Sequence, residues 1–320
     1  MSALAQPTTR FARLGILFIL FAAFALRVVA LDRLGLAYDE SASALMARAT
    51  APEIIEFHWN AAFEHPPLWA LLLRAWSQLA GQSEFALRLL PAFAGTLINV
   101  TLWRILRTLW PDDHALATIS ALLVAVAPVL VYYSQEARMY TLVVWLMLVA
   151  MHFAFKVRAK PTWGNVLAFW LVCWSMLGLH YYAALALAIQ ALILGIDGLL
   201  ARSVRRVPWL ALVVAYGGAV LPVALWMFFA PGFQTTLEVV LDKAGENPVA
   251  WQYFLGDLWR ELTFGSIRWQ PHYAVSGYAL APFTVAGALV LLMRRQPSIP
   301  ARIAAWLIVA TVVLPIVSGA

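Results

Sequence analysis

Residues 208–230 decide the class of protein, because they read PWLALVVAYGGAVLPVALWMFFA and contain no Asp, Glu, Lys or Arg. A helix needs about 20 apolar residues to cross the roughly 30 Å hydrocarbon core of a bilayer. The whole chain has a similar character, since 63% of its 320 residues are hydrophobic and only 12% are charged. A soluble domain has about 25% charged residues. This composition therefore excludes a soluble globular protein and a disordered chain.

Further apolar runs of similar length predict about nine transmembrane helices in all. The predicted spans are 14–31, 86–108, 114–132, 139–156, 163–180, 182–200, 208–230, 276–293 and 302–320. Residues 66–80 are apolar but short, and Arg74 lies near their middle, so we expect a helix at the interface that does not cross. The predicted fold class is an all-α polytopic membrane protein. The single cysteine, Cys173, excludes an intrachain disulfide and a cysteine-based metal site.

Two of the predicted loops are long, residues 32–85 and residues 231–275, and both lie on the same side of the membrane. The connections on the other side are short, so we expect function on the side of the long loops. We interpret residues 1–320 as a single transmembrane module whose first long loop is helical. Because Ala320 falls inside or just at the end of an apolar run, we expect the chain to be the N-terminal part of a longer protein.

The distribution of charge predicts the orientation of these spans. The chain carries a net charge of +6, from 22 basic and 16 acidic residues. With the N-terminus in the cytoplasm, 13 of the basic residues and three of the acidic ones fall on the cytoplasmic side. This bias follows the positive-inside rule and predicts a multi-pass protein of the cell membrane whose long loops are extracytoplasmic. The basic charge is then explained by topology, and no nucleic-acid partner is needed.

The first long loop contains two candidate clusters. Tyr38-Asp39-Glu40 follows the first span directly. Two adjacent carboxylates repel each other and are costly near hydrocarbon, which makes them candidates for a functional role. Glu64 and His65 precede a double proline that fixes an extended approach to a helix. The alternatives are a solvated loop start for the first cluster and a helix-capping turn for the second. Glu64 and His65 are also two potential metal ligands, which is weak evidence for a metal.

Two further clusters occupy short turns on the same side of the membrane. One turn, between two spans, carries Arg138 together with Gln135, Glu136 and Tyr140. An arginine at headgroup depth suits a phosphate, because its planar fork binds phosphate oxygens in pairs. The alternatives are an arginine that snorkels to the interface or one that pairs with Glu136. The other turn is His180-Tyr181-Tyr182, where the alternative is a structural histidine.

The centres of the spans are nearly free of ionisable residues, and Arg27 is the main exception. A transporter usually places its polar residues near the midplane of the membrane. The pattern instead favours an enzyme that works at the outer surface on a substrate anchored in lipid. A transporter or flippase of a lipid-linked sugar is the main alternative, and a scaffold without chemistry is a third.

At these residues the chain resembles the GT-C glycosyltransferases, and among them the protein O-mannosyltransferase and lipid A aminoarabinose transferase group. The resemblance is carried by three motifs in order: Tyr38-Asp39-Glu40, Glu64-His65-Pro66-Pro67-Leu68, and Tyr133 through Tyr140. It covers residues 10–200 well. It implies a transferase that uses a polyprenyl-phosphate sugar as donor and a lipid, glycan or protein as acceptor.

The resemblance also implies roles for individual residues. Asp39 would be the catalytic carboxylate with Glu40 beside it, and Arg138 would bind the donor phosphate. Glu64 matches a position that helps to hold a divalent metal in some members, and His65 stands where those members carry lysine. The candidate metal ligands are Glu64 and His180. Further residues are predicted to support the site or bind substrate: His65, Gln135, Glu136, Tyr140, His180 and Tyr181.

The expected reaction is the transfer of a hexosyl or pentosyl group to a hydroxyl or amine, with inversion at the anomeric carbon. Asp39 would remove the proton of the acceptor as attack proceeds. The leaving lipid phosphate needs positive charge and no general acid, unlike the two-carboxylate scheme of glycoside hydrolysis. Arg138 would supply that charge, helped by Arg27 or a metal.

Overall fold

The computed structural model describes residues 10–61, 65–111, 113–200 and 208–246. This part of the chain is helical and contains no strand, which confirms the all-α prediction for the residues described. Its helices, in chain order, are α1 (Arg10–Val28), α2 (Tyr38–Met46), α3 (Ala51–Asn60), α4 (Leu68–Ala80), α5 (Glu84–Leu109), α6 (His114–Val126), α7 (Pro128–Ser134), α8 (Tyr140–Ala159), α9 (Trp163–Leu179), α10 (Ala183–Leu200), α11 (Trp209–Phe229) and α12 (Pro231–Glu246).

Three of these helices, α5, α8 and α11, are long and apolar enough to cross a membrane. Helices α6 and α7 pass the same test as a pair, bent by 56° at the break before Pro128. Proline has no N–H to continue the hydrogen bonding of the preceding helix, which explains why the break occurs just before Pro128. The predicted count of nine spans is not confirmed, because α1, α9 and α10 are shorter apolar helices in the described residues. The predicted spans 276–293 and 302–320 lie outside those residues.

Residues 32–61 and 65–85 of the first long loop contain three short helices, α2, α3 and α4. Thr50 caps α3 in a reciprocal arrangement with Glu53, and Ser83 caps the start of α5. The apolar segment predicted at 66–80 forms the 13-residue helix α4, which is too short to cross. The loop therefore folds as short helices between the longer helices α1 and α5.

The helices divide into two compact units, and all the described candidate residues belong to the one that contains residues 1–126, 130–188 and 208–238. A buried apolar cluster in this unit packs the loop helices against the longer ones. Its members are Ala47, Trp69, Leu73, Leu87, Ala94, Ala137, Met139, Leu142 and Leu179. Two indole N–H groups add specific bonds, from Trp69 to the Ser43 hydroxyl and from Trp76 to the Ala86 carbonyl. This core fixes the start of α2 beside the turn at 135–139.

Candidate active site

Asp39 lies in the first turn of α2 and keeps its carboxylate accessible. Its side chain is 64% exposed, and its Oδ2 lies 3.8 Å from Nη2 of Arg138. Its backbone carbonyl accepts hydrogen bonds from Nη1 of Arg138 and from the Ser43 hydroxyl. The backbone is thus held in place while the carboxylate faces solvent, which is the arrangement that a proton acceptor requires.

Arg138 is the cation of the site and is nearly buried, with 7% of its side chain exposed. Nη2 contacts Nε2 of His65 at 2.7 Å and donates to the Tyr140 hydroxyl at 3.3 Å, and the guanidinium lies 5.5 Å from the centre of the Tyr140 ring. Nε has no hydrogen-bond partner among the described residues. An arginine has five N–H groups. Two of those of Arg138, on Nε and Nη1, therefore have no hydrogen-bond partner among the described residues, and the one on Nε is buried.

Glu40 is adjacent to Asp39 in sequence but has a different environment, because it is 3% exposed. Its Oε1 accepts from Nε of Arg88 at 2.8 Å and from the Ala137 amide at 2.8 Å. Its Oε2 accepts from Nη2 of Arg88 at 2.7 Å and from the Ala37 amide at 2.9 Å. Burial alone would raise the pKa of this carboxyl, but the bonds from Arg88, Ala137 and Ala37 together hold the pKa below its ordinary value. These four hydrogen bonds give Glu40 a structural role, and the catalytic role predicted for it beside Asp39 stays a prediction.

Arg88 was missed by the sequence analysis, although it is the main partner of Glu40. It lies in the second turn of α5, is 5% exposed, and also donates to the carbonyls of Leu31, Leu34 and Gly35. It therefore ties the segment that follows α1 to α5. The signal that could have found it is an arginine inside an apolar span, since a buried charge there requires partners.

Arg27 is fully buried at the last turn of α1, and its guanidinium is occupied. It donates to the carbonyls of Ala23 and Ala125 at 2.9 Å and to the Ser134 hydroxyl at 3.2 Å. Helix α5 approaches it so closely at Gly95 that a Cβ there would lie 2.8 Å from Nε of Arg27. These contacts give Arg27 a packing role, and its help in binding the donor phosphate stays a prediction.

Gln135 and Glu136 shape the turn that carries Arg138. The Gln135 amide donates to the carbonyls of Leu26 and Val29, at 3.1 Å each, and so satisfies the end of α1. Burial is the main cause that raises the pKa of the Glu136 carboxyl, and it outweighs the hydrogen bond from Tyr132, which lowers that pKa. The charges of Glu40 and Asp39 add to the rise, and the charge of Arg138 opposes it. Arg138 forms its ion pair with Asp39. Glu136 is thus a weaker acid than usual beside the site.

Aromatic rings lie beside Arg138. The ring of His65 lies 4.8 Å from that of His180, and Tyr140 lies 6.0 Å from His180. Because an arginine only donates, Nε2 of His65 accepts its bond, which requires a neutral ring. Burial and the charge of Arg138 lower the pKa of His180, so this second ring is also neutral at pH 7. His65, Tyr140 and His180 are thus brought together with Arg138, as the sequence predicted for one site.

The described residues do not by themselves provide a metal site. No group of three or more His, Cys, Asp or Glu side chains in this part of the chain is placed to share an ion. Nδ1 of His180 accepts from the Tyr182 amide, and Nε2 of His65 contacts Arg138. Glu64, the other predicted ligand, lies outside the described residues. The divalent metal stays a prediction, and we derive no step through it.

An apolar cavity of about 230 Å³ opens next to this cluster. It lies between the start of α4, the end of α9 and the middle of α11. Its lining residues are Pro66, Pro67, Leu68, Leu71, Trp174, Gly178, Tyr181, Pro222, Val223 and Trp226. Two of them, Pro66 and Tyr181, directly follow the histidines that surround Arg138. Burial raises the pKa of the Tyr181 hydroxyl to about 12, as expected on such a wall. The cavity is therefore suited to a short hydrocarbon segment beside a cation.

A family model described as dolichyl-phosphate-mannose-protein mannosyltransferase matches residues 64–230, more than half of the chain. The match includes the turn with Arg138, the histidine cluster and most of the cavity wall. It begins after Asp39 and Glu40. Searches of the curated proteins and of the solved structures give no match.

Proposed function

The chain belongs to the dolichyl-phosphate-mannose-protein mannosyltransferase family, a group of GT-C membrane glycosyltransferases, and from this premise we propose a specific reaction for it. It transfers a hexosyl or pentosyl group from a polyprenyl-phosphate donor to a hydroxyl or amine of a lipid, glycan or protein. The anomeric carbon is inverted, and Asp39 is the base. The observation that carries the proposal is the exposed carboxylate of Asp39 3.8 Å from the buried guanidinium of Arg138.

The two charges match the two demands of the reaction. Asp39 accepts the proton of the acceptor while the acceptor oxygen or nitrogen forms its bond to the anomeric carbon. The bond from that carbon to the phosphate oxygen breaks at the same time, and the lipid phosphate leaves with the electron pair. A single displacement of this kind inverts the configuration. Because Glu40 is occupied by four hydrogen bonds, Asp39 is the carboxylate best placed to act.

Arg138 supplies the positive charge on which departure of the phosphate depends. A guanidinium in a nearly buried position attracts an anion more strongly than one in water, because the local dielectric is low. Its unused N–H group on Nη1 gives a phosphate oxygen a hydrogen bond that strengthens as negative charge develops. A phosphate monoester leaves as a stable anion, so the leaving group needs no proton.

The apolar cavity supports a lipid-linked donor over a nucleotide sugar. A cavity of about 230 Å³ is too small for a whole polyprenyl chain and suits the part next to the phosphate. The rest of the chain would remain in the bilayer. We further propose that the site faces the extracytoplasmic side of the cell membrane, with the N-terminus in the cytoplasm. The support for this is the bias of basic residues toward the opposite connections.

The experiment that tests the proposal supplies membranes containing the protein with a panel of labelled polyprenyl-phosphate sugars. Label is followed into lipid, glycan and protein fractions for the wild type, for Asp39→Asn and for a matched control, Asp32→Asn. Asp32 is an exposed carboxylate between α1 and α2. We expect transfer by the wild type and by Asp32→Asn, and its loss in Asp39→Asn. Full transfer by Asp39→Asn would contradict the mechanism. Movement of labelled lipid between leaflets without transfer would favour a flippase.

A further inference from the structure

The buried carboxylate of Glu40 joins three segments that are distant in sequence. It closes the first turn of α2 through the Ala37 amide, binds Arg88 of α5 through both oxygens, and accepts from the Ala137 amide in the turn before α8. Bidentate pairing between an arginine and a carboxylate fixes orientation as well as distance. Each oxygen receives two donors, so the carboxylate has one arrangement in which all four bonds form.

The residues that Glu40 joins are the immediate neighbours of the two proposed functional groups. Asp39 precedes Glu40, and Arg138 follows Ala137. A bond of 2.8 Å between Glu40 and the Ala137 amide therefore brings the backbone of Asp39 next to that of Arg138. The direct contact between their side chains is longer, at 3.8 Å, and Asp39 is largely exposed. Arg138 also donates to the Asp39 carbonyl at 3.2 Å, but an ion pair of 3.8 Å to a largely exposed carboxylate is too weak to hold the Asp39 side chain.

We propose that Arg88 and Glu40 form a positioning pair, which holds the base beside the arginine that binds phosphate. This inference rests on the proposed function and adds to it a residue, Arg88, that touches neither substrate. Arg88 also fixes the approach to α2, because it donates to the carbonyls of Leu31, Leu34 and Gly35. Arg88 of α5 thus binds both the first turn of α2, through Glu40, and the segment that precedes α2.

The pair depends on charge and shape together, which makes conservative variants informative. In the native protein, each oxygen of the Glu40 carboxylate accepts two hydrogen bonds. In Glu40→Gln, one oxygen is replaced by an NH2 group, which cannot accept. In either orientation of the amide, this NH2 group therefore faces two N–H donors and two bonds are lost. In Arg88→Lys the charge remains, but a single ammonium cannot replace a fork that reaches Glu40 and three carbonyls. Glu40→Gln keeps the size of the side chain, and Arg88→Lys keeps its charge.

The first test measures transfer and phosphate binding in Glu40→Gln and Arg88→Lys. The control is Arg74→Lys, because Arg74 also donates to a loop carbonyl, that of Ala49, but is only half-buried. We expect turnover per folded molecule to fall at least about tenfold in the two variants, since a shift of about 1 Å in a catalytic group has effects of this size. Affinity for farnesyl phosphate should change less than about threefold. Turnover equal to that of Arg74→Lys would overturn the proposal.

A second test does not depend on transfer. In the wild type, Asp39→Asn removes a negative charge beside Arg138, so farnesyl phosphate should bind about two- to fivefold more tightly. If Arg88 and Glu40 hold Asp39 in place, the same substitution should have almost no effect in the Arg88→Lys background. An equal effect in both backgrounds would overturn the positioning role. A wild type that binds farnesyl phosphate but transfers no sugar would refute the proposed function and leave this test decisive.

Discussion

Replacement of Arg138 by alanine tests the phosphate assignment most directly. Three of its five N–H groups are engaged with Asp39, His65 and Tyr140, and that of Nε is buried, which leaves one N–H of Nη1 for a phosphate. A hydrogen bond to a charged group contributes about 1.5–3 kcal/mol. Loss of one such bond corresponds to a roughly tenfold weaker affinity, and a total loss of about 3 kcal/mol corresponds to roughly 150-fold. We therefore expect Arg138→Ala to weaken the binding of farnesyl phosphate by about 10- to 150-fold.

The assay is titration calorimetry on purified protein in detergent, with farnesyl phosphate and with farnesol. Farnesol has the same hydrocarbon chain and no phosphate, so its affinity should be equal in the wild type and in Arg138→Ala. Arg138→Lys keeps the charge but not the fork, and we expect an intermediate loss. Arg74→Ala controls for the removal of an arginine elsewhere in the same unit. Equal affinity of wild type and Arg138→Ala for farnesyl phosphate would refute the reasoning.

Four further outcomes follow from the same geometry. Asp39→Asn should lower transfer by about 10²- to 10⁴-fold without weakening donor binding, as single-turnover kinetics would show. Gly95→Ala should destabilise the protein by about 1–3 kcal/mol, seen as a lower Tm, because α5 has no room for a methyl group, whereas Gly15→Ala, in open space, should not. Because the pKa of Glu40 is lowered on folding, its ionised form stabilises the protein fully above the ordinary pKa of 4.5. That stability is lost as the pH falls through the lowered pKa, so Tm should fall less steeply at acid pH in Glu40→Gln than in the wild type. Val223→Phe should fill the apolar cavity and weaken farnesol and farnesyl phosphate alike by several-fold.

The sequence predicted the composition of the site better than the roles within it. Asp39, His65, Arg138, Tyr140 and His180 were selected from four separate stretches, and the structure brings them together. These residues could be selected because polar side chains near hydrocarbon cost free energy and therefore often mark a functional site. The order of the spans also places all of them on one side of the membrane. Whether Asp39 and Arg138 act in transfer stays a prediction.

The roles of Glu40, Arg27 and Arg88 required the structure. Glu40 and Asp39 are adjacent carboxylates of the same chemistry, yet one is buried under four hydrogen bonds and the other is exposed. Arg27 and Arg138 both lie near span ends, and only the contacts of each side chain show that Arg27 is occupied by carbonyls. The sequence gives the type of a residue and its position along a predicted span. Its partners from distant segments depend on how the helices pack.

By itself, the sequence determined that this is a helical membrane protein, and it predicts function at one end of the spans. The length of the apolar segments and the distribution of basic residues between the loops suffice for that conclusion, because the bilayer constrains each segment of the chain separately. Only the tertiary structure decided that Glu40 and Arg88 hold Asp39 next to Arg138, and that an apolar cavity opens beside the histidines. These are properties of side chains that meet across about 50 to 100 residues of chain, and they exist only once the helices have packed.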